Sequence, residues 1–297
     1  MKATIIGSNG FLTKSIALYC NSNNFDLVIV GRSKPKTYNY KKFYKIDLLD
    51  DEIPYNEILK SDIIIYAAGA GIQSNLNESF YHIYELNTLI PIKICNNLKL
   101  LKFNGSFVSF GSYFEIGPNR LNHKYEELEL IQSDNKTNSD YSISKRMITR
   151  FISSSNFCFK SWHFILPTIY GENESNHRLI PYLIKSIKNK TQLKLTSGTQ
   201  VRQYIYVDEI PKIVFKALNK KINSGIYNIE GTETLSVKEL VFSLHKLFNK
   251  KLDSKIFGKV SRADSNMQIL KLNGAKLMSE INFTPSIKIS DVYEKYK

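Results

Sequence analysis

Ala3-Thr-Ile-Ile6-Gly7-Ser-Asn-Gly10-Phe-Leu-Thr13 sets a short apolar, β-leaning run directly before a glycine turn, and a helical pattern from Lys14 to Cys20 follows. Ile16, Ala17 and Cys20 share one side of that helix. Strand, glycine turn and helix, in that order, are the context in which a glycine motif holds a dinucleotide. Gly7 permits the tight turn. Gly10 lets backbone N–H groups and the helix N-terminus approach a pyrophosphate. The reading assigns Gly7, Ser8, Asn9, Gly10, Phe11 and Leu12 to a cofactor-binding loop. Thr13 occupies the place of a third glycine, and without a cofactor the same residues make a plain βα turn.

Outward from this stretch, apolar runs alternate with helical patterns. Candidate strands are 3–6, 27–30, 63–67, 105–110 and 162–166, with helical stretches near 14–20, 80–98 and 141–153. The runs at 63–67 and 105–110 are apolar nearly throughout, as expected when both faces of a sheet are covered. The alternation predicts an α/β fold, a doubly wound parallel sheet of Rossmann type with a smaller C-terminal α/β lobe. Residues 1–165 are expected to form the dinucleotide-binding domain and 166–297 the substrate lobe, with part of 200–222 returning to the first. Ligands then belong at the carboxyl ends of the strands.

The second strand ends in Gly31-Arg32-Ser33-Lys34. A ribose 2′-hydroxyl calls for an acid at this place and a 2′-phosphate for a cation, so Arg32, Ser33 and Lys34 point to NADP(H) over NAD. A solvated basic turn is the plainer alternative. Asp47 is placed to accept from an adenine amino group. Ala67-Ala-Gly69 is small enough to lie against a ribose or pyrophosphate. Ser112 follows the strand at 105–110 as a hydroxyl donor, and alone it would be a turn serine. Tyr141 and Lys145 are four residues apart, hence on one helix face. An ammonium beside the phenol is expected to draw its pKa from about 10 toward the working range. With Ser112 they make a constellation for hydride chemistry at a carbinol carbon.

Composition bounds the partners. The 297 residues are 42% hydrophobic, enough to bury a large core, and carry a net charge of +14. The lysines are scattered, without a basic block or zinc-ligand spacing, so no nucleic-acid role is expected. Cys20, Cys95 and Cys158 lack CxxC spacing and read as buried free thiols of a reducing cytosol, and the five histidines show no metal spacing. No apolar run reaches the ~18 residues of a membrane span, and Met-Lys-Ala-Thr enters a strand instead of a signal segment. A cytoplasmic enzyme with no membrane partner and no metal is expected.

Taken together, the motifs resemble the extended short-chain dehydrogenase/reductases of the nucleotide-sugar epimerase, dehydratase and reductase family. Gly7-x-x-Gly10-Phe11 resembles the glycine motif, Asp47-Leu48 the adenine-contacting pair, and Ala67-Ala68-Gly69 the cofactor loop. Phe110-Gly-Ser112 to Gly117 resembles the stretch carrying the catalytic Ser/Thr, and Tyr141-Ser-Ile-Ser-Lys145 the catalytic pair. Leu166-Pro-Thr-Ile-Tyr-Gly171, Leu179-Ile-Pro181, Val201-Arg-Gln-Tyr-Ile-Tyr206 and Gly225-Ile-Tyr-Asn228 are similar to later segments of that family. The resemblance implies further cofactor contacts at Asn87 and Pro167. It implies substrate contacts at Ser112, Tyr113, Thr168, Leu179, Ile180 and Tyr206, with Arg202 and Arg262 on a sugar-nucleotide diphosphate. It also implies a homodimer through the helices near 80–98 and 141–153.

Within that family, Leu193-Lys-Leu-Thr-Ser-Gly-Thr-Gln-Val-Arg202 is similar to reductases of CDP- or dTDP-linked 4-keto-6-deoxyhexoses, of the paratose, abequose and fucose types that serve surface polysaccharides such as O-antigen. Consumed NADPH agrees with Arg32. A 4,6-dehydratase needs a carboxylate beside the catalytic Ser/Thr, whereas Ser112 is followed by Tyr113 and Phe114, with Glu115 the first acid. An NAD-dependent 4-epimerase and a non-catalytic NADP-binding regulator are the alternatives.

Overall fold

Ile63-Ile-Ile-Tyr66 has every side chain buried, so this strand needs apolar cover on both faces. The computed structural model, which describes residues 1–72, 77–260 and 266–296, supplies it. Its strands are β1 (Lys2–Ile6), β2 (Asp26–Gly31), β3 (Lys42–Lys45), β4 (Ile63–Tyr66), β5 (Ser106–Ser112), β6 (Lys160–Leu166), β7 (Thr168–Tyr170), β8 (Val201–Tyr206), β9 (Gly225–Asn228), β10 (Glu233–Ser236) and β11 (Ile269–Leu270). The order β3-β2-β1-β4-β5-β6-β9 makes one seven-stranded parallel sheet, with Ile5 opposite Ile29 and Ile65. This is the α/β, doubly wound Rossmann architecture expected. Strand order reverses between β1 and β4, which opens a crevice above their carboxyl ends.

Successive side chains serve opposite faces. Ala3, Ile5, Ile63 and Ile65 pack with Ile16, Ala17 and Cys20 of the helix Phe11–Ser22 and with Ile213, Val214 and Phe215 of the helix Glu209–Lys220. Ile6, Ile64 and Tyr66 meet Ile94, Cys95 and Leu98 of the helix Ile90–Leu100. Each fully buried Ile stabilises the fold by about 1.5–3 kcal/mol. Ser15 Oγ ties the first helix to the chain entering Glu209–Lys220, donating to Asp208 Oδ1 at 2.7 Å.

Two edge strands, β3 and β9, have no counterpart among the expected strands, since Lys42-Phe-Tyr-Lys45 and Gly225-Ile-Tyr-Asn228 each hold only two apolar residues between polar or glycine ends. The stretch expected as one helix near 80–98 comprises an α-helical segment Phe80–Tyr84, a π-helical turn Glu85–Leu89 and the helix Ile90–Leu100. Pro91 lacks the N–H that would bond to the Asn87 carbonyl, so the ladder widens there. Cys20 and Cys95 are buried, but Cys158 is exposed, because it lies in the turn before β6 and not on the strand.

A second, smaller sheet places β8 beside β10 and β11, with β7 also pairing to β8. Its core joins Ile180, Leu183 and Ile184 of the helix Leu179–Asn189 to Leu240, Val241 and Leu244 of the helix Val237–Leu247. Among the described residues no helix is long and apolar enough to cross a membrane.

Candidate active site

A cleft of 330 Å³ lies over the carboxyl ends of β1, β2 and β4. Gly7, Ser8, Asn9 and Gly10 line it with Arg32, Ser33, Asp47, Leu48, Ala67, Ala68 and Gly69. Two glycines set its floor. Gly7 has φ +111°, and a Cβ on it would stand 2.9 Å from Ala68 N. A Cβ on Gly31 would come within 2.7 Å of Ser8 Cβ. Gly10 caps the helix Phe11–Ser22 without a side-chain hydrogen bond, and its first turn holds no acid, so the N–H groups face the cleft without an anionic competitor. Asn9 Nδ2 donates to Ser33 Oγ at 2.9 Å and to Ser33 O at 3.0 Å, locking the glycine loop to the turn after β2. Tyr38 donates to Ser8 O from below. Thr13 is fully buried, and its Oγ1 has no hydrogen-bond partner.

Not every residue expected at the cofactor lines the cleft. Lys34 is exposed beyond the turn, and Leu12 packs against the sheet core. Phe11 reaches toward Gly171, where a Cβ would meet its Cζ at 3.3 Å. Pro167 is buried between β6 and β7. Asn87, in the π-helical turn, spends its amide on protein groups: Oδ1 accepts from Ala70 N at 3.0 Å, and Nδ2 donates to Ala70 O at 2.9 Å and Ser144 Oγ at 3.0 Å. It braces the Ala67–Gly69 loop against the helix Asp140–Ser154.

That helix starts at Ser139, whose hydroxyl accepts from Ser142 N, and carries Tyr141 and Lys145 on one face. Lys145 is nearly buried and its Nζ donates to Phe110 O at 2.9 Å. Ser112 ends β5 and caps a short turn Tyr113–Ile116, with Oγ accepting from Phe114 N at 3.3 Å. Its own proton is left for another partner, and the Tyr141 phenol is within its reach. Burial pushes the Tyr141 phenol up to about 12, against the opposing pulls of the Ser112 hydroxyl and the Arg178 charge. This corrects the expectation that Lys145 draws the phenol toward neutrality: the ring lies among protein groups, and the ammonium is turned to Phe110 O. The phenol is protonated at neutral pH, as an ordinary tyrosine is, and burial makes it the weaker acid of the two.

The wall facing Tyr141 is aromatic and cationic. Phe114 meets Tyr141 edge-on at 6.3 Å between ring centroids, and the Arg202 guanidinium lies 5.9 Å from the Phe114 centroid. Arg202 is buried on β8, donating to Val201 O at 2.9 Å and Gln268 O at 3.3 Å. Tyr113 bonds Thr168 through their hydroxyls. Leu179 and Ile180 begin the helix Leu179–Asn189, with Ile180 committed to the second core. Tyr206 donates to Glu172 Oε2 at 2.8 Å and accepts from Lys295 at 3.2 Å, which ties it to a neighbouring pocket lined by Glu172, Lys185 and Lys295. Arg262 lies outside the described residues.

Sequence reading noted Glu115 only as the first acid after Ser112, without a role, and missed Glu174 and Arg178. Glu174 Oε1 accepts from Arg178 Nε at 2.8 Å, and burial pushes its carboxyl up to about 7 against the Arg178 charge. Their i, i+4 spacing was a signal, but nothing in the sequence tied them to Tyr141.

A family model described as the NAD dependent epimerase/dehydratase family matches residues 3–229. The chain belongs to that family. It is 28% identical over 194 residues to CDP-abequose synthase of Salmonella muenchen, 62% of this chain and 59% of that protein. It is also 28% identical over 267 residues to dTDP-D-glucose 4,6-dehydratase of Dictyostelium discoideum, 78% of this chain and 58% of that one. The match thus spans less than two thirds of either relative. Among solved structures, UDP-glucuronic acid 4-epimerase of Bacillus cereus, in complex with UDP-glucuronic acid and NAD, superposes with a TM-score of 0.84 at 18% identity, covering 100% of this chain and 98% of that one. At that identity the likeness concerns the fold.

Proposed function

We propose that this epimerase/dehydratase-family protein reduces a nucleotide-linked 4-keto-6-deoxyhexose, a CDP- or dTDP-sugar, at the expense of NADPH. The observation that carries the reading is the grouping of Tyr141 with Ser112, where Tyr113 and Phe114 follow the serine and the nearest carboxyl, Glu115, is fully buried beneath it. Similarity to an enzyme named CDP-abequose synthase supports the sugar class.

The cleft fits a dinucleotide, as the close approach of Gly7 to Ala68 and the uncapped helix N-terminus indicate. Gly7 to Gly10 would hold its pyrophosphate, Asp47 its adenine end, and Arg32 with Ser33 a 2′-phosphate. Bound NADPH supplies a hydride to the sugar C4. Tyr141 gives a proton to the developing alkoxide while Ser112 donates a hydrogen bond to the same oxygen. Lys145 holds the nicotinamide ribose. Arg202 draws the diphosphate to the lobe, so that remote binding energy orients C4. Phe80, Tyr81, Leu89 and Met147 are exposed on the helices assigned to a homodimer contact.

Incubation of purified protein with CDP- and dTDP-4-keto-6-deoxyhexoses and NADPH tests the reading. Loss of reduced nicotinamide matched by one equivalent of reduced sugar is expected. A cofactor that survives desalting, with sugar interconverted and no net oxidation, would instead establish the epimerase reading, which the NAD complex of the epimerase fold neighbour favours.

A further inference from the structure

Beneath Ser112 lies a carboxyl that the proposed reduction does not use. Glu115 is fully buried, and its Oε1 accepts from Ser112 N at 2.7 Å. Its Oε2 has no partner in good hydrogen-bond geometry, the Thr149 hydroxyl being the side-chain group that draws on the carboxyl. The strand is cut away to admit it: a Cβ on Gly111 would stand 2.5 Å from Glu115 Oε1 and 2.7 Å from His163 Nε2. His163, also fully buried, is held between Ser109 Oγ at 2.8 Å and Thr149 Oγ1 at 3.0 Å. Burial keeps this imidazole neutral. The groups facing Glu115 are therefore Lys145, Arg146 and Thr149 from the helix Asp140–Ser154 and His163 from β6. Arg146 donates from Nε to the Glu115 carbonyl and from Nη1 to Asn135 O at 2.8 Å, which binds it to the turn's backbone.

A buried acid with one oxygen fixed and the other orphaned is costly to keep charged unless a cation offsets it. Lys145 and Arg146 are the cations whose charges favour its ionised form. Burial raises the carboxyl and lowers the ammonium, and each charge supports the other. We propose that Glu115 is a positioning residue: through the Ser112 amide it fixes the hydroxyl facing the reacting oxygen, and through its charge it keeps Lys145 an ammonium beside Tyr141. Its kinetic consequences rest on the reductase reading, whereas its ionisation does not.

The test compares Glu115→Gln and Glu115→Val in the full-length protein. Glutamine keeps an acceptor for Ser112 N but not the charge; valine keeps neither. Glu115→Val should lower kcat about tenfold with little change in KM, the loss of one oriented donor's alignment. Glu115→Gln should recover most of that loss. Because the neutral amide no longer favours the ammonium, Lys145 gives up its proton at lower pH. The basic limb of the kcat profile then moves down by about one unit in the glutamine variant. Superimposable pH profiles for wild type and Glu115→Gln would overturn the charge role, and undiminished kcat in Glu115→Val the alignment role. Should the valine variant not fold, the pH profile of Glu115→Gln carries the test. Should no keto sugar be turned over, the part of the infrared buried-carboxyl band that titrates in wild type and is lost in Glu115→Gln, over the Glu174 contribution that both share, reads the same inference. Its absence at every pH would refute it independently of the activity.

Discussion

Asn87→Ala should weaken the fold and both halves of the active site together. Asn87 is 1% exposed and bonds Ala70 N, Ala70 O and Ser144 Oγ at 2.9–3.0 Å. Truncation leaves three buried polar groups without that partner, at about 1–3 kcal/mol for each one left dry. Ser144 retains its bond to Tyr141 O at 2.9 Å, so the two Ala70 groups set the expected loss, about 2–4 kcal/mol. For a chain of this size that lowers Tm by roughly 4–12 °C, measured by calorimetry at matched concentration. Because Ala67–Gly69 line the cofactor cleft and Ser144 precedes Lys145, NADPH affinity and kcat should fall as well. A Tm within about 1 °C of wild type would refute the bracing role. A lowered Tm with unchanged NADPH titration would show that the brace stabilises the fold without shaping the cleft.

Tyr141→Phe should lower kcat by about 10²–10⁴ while NADPH affinity stays near wild type, since only the proton donor is lost; retention of a third of wild-type kcat would sink the assignment. Arg32→Ala should weaken NADPH about tenfold and leave NADH unchanged in fluorescence titrations, the fully charged contact being discounted for its exposure. Equal wild-type affinity for the two cofactors would defeat the NADP reading. Arg202→Ala should raise KM for the nucleotide sugar roughly tenfold to a hundredfold, and KM for NADPH far less. Equal effects on both ligands, read beside Tm, would assign Arg202 to the fold.

The parallel sheet was legible because β1, β4 and β5 are apolar on both faces, a pattern that few other environments impose. The glycine turn and the Tyr141–Lys145 spacing were legible because each is local: a turn and one helical face. Glu115 was not, since its role depends on Gly111 lying beneath His163, two strands brought together only by the sheet register. Arg178 and Glu174 were hidden for the same reason. Tyr141 shows the limit from the other side. The helix spacing put Lys145 on its face correctly, yet burial, a property of the whole site, reverses the expected direction of the phenol's pKa.

The fold cannot choose among reduction, epimerisation and dehydration, because all three are hosted by the same architecture. The choice falls on what carboxylates can reach. Elimination of water requires one to take a proton from the sugar, with its oxygen free to do so. Glu115 faces away, bonded to the Ser112 amide beneath the strand. Glu174 holds Arg178 through Oε1 at 2.8 Å, while its Oε2 is buried without a hydrogen-bond partner in a side chain only 4% exposed. Tyr141, protonated and flanked by Ser112, meets no such obstacle in donating to an alkoxide. The buried carboxyls thus leave the proton in the proposed reduction to Tyr141, with Ser112 beside it.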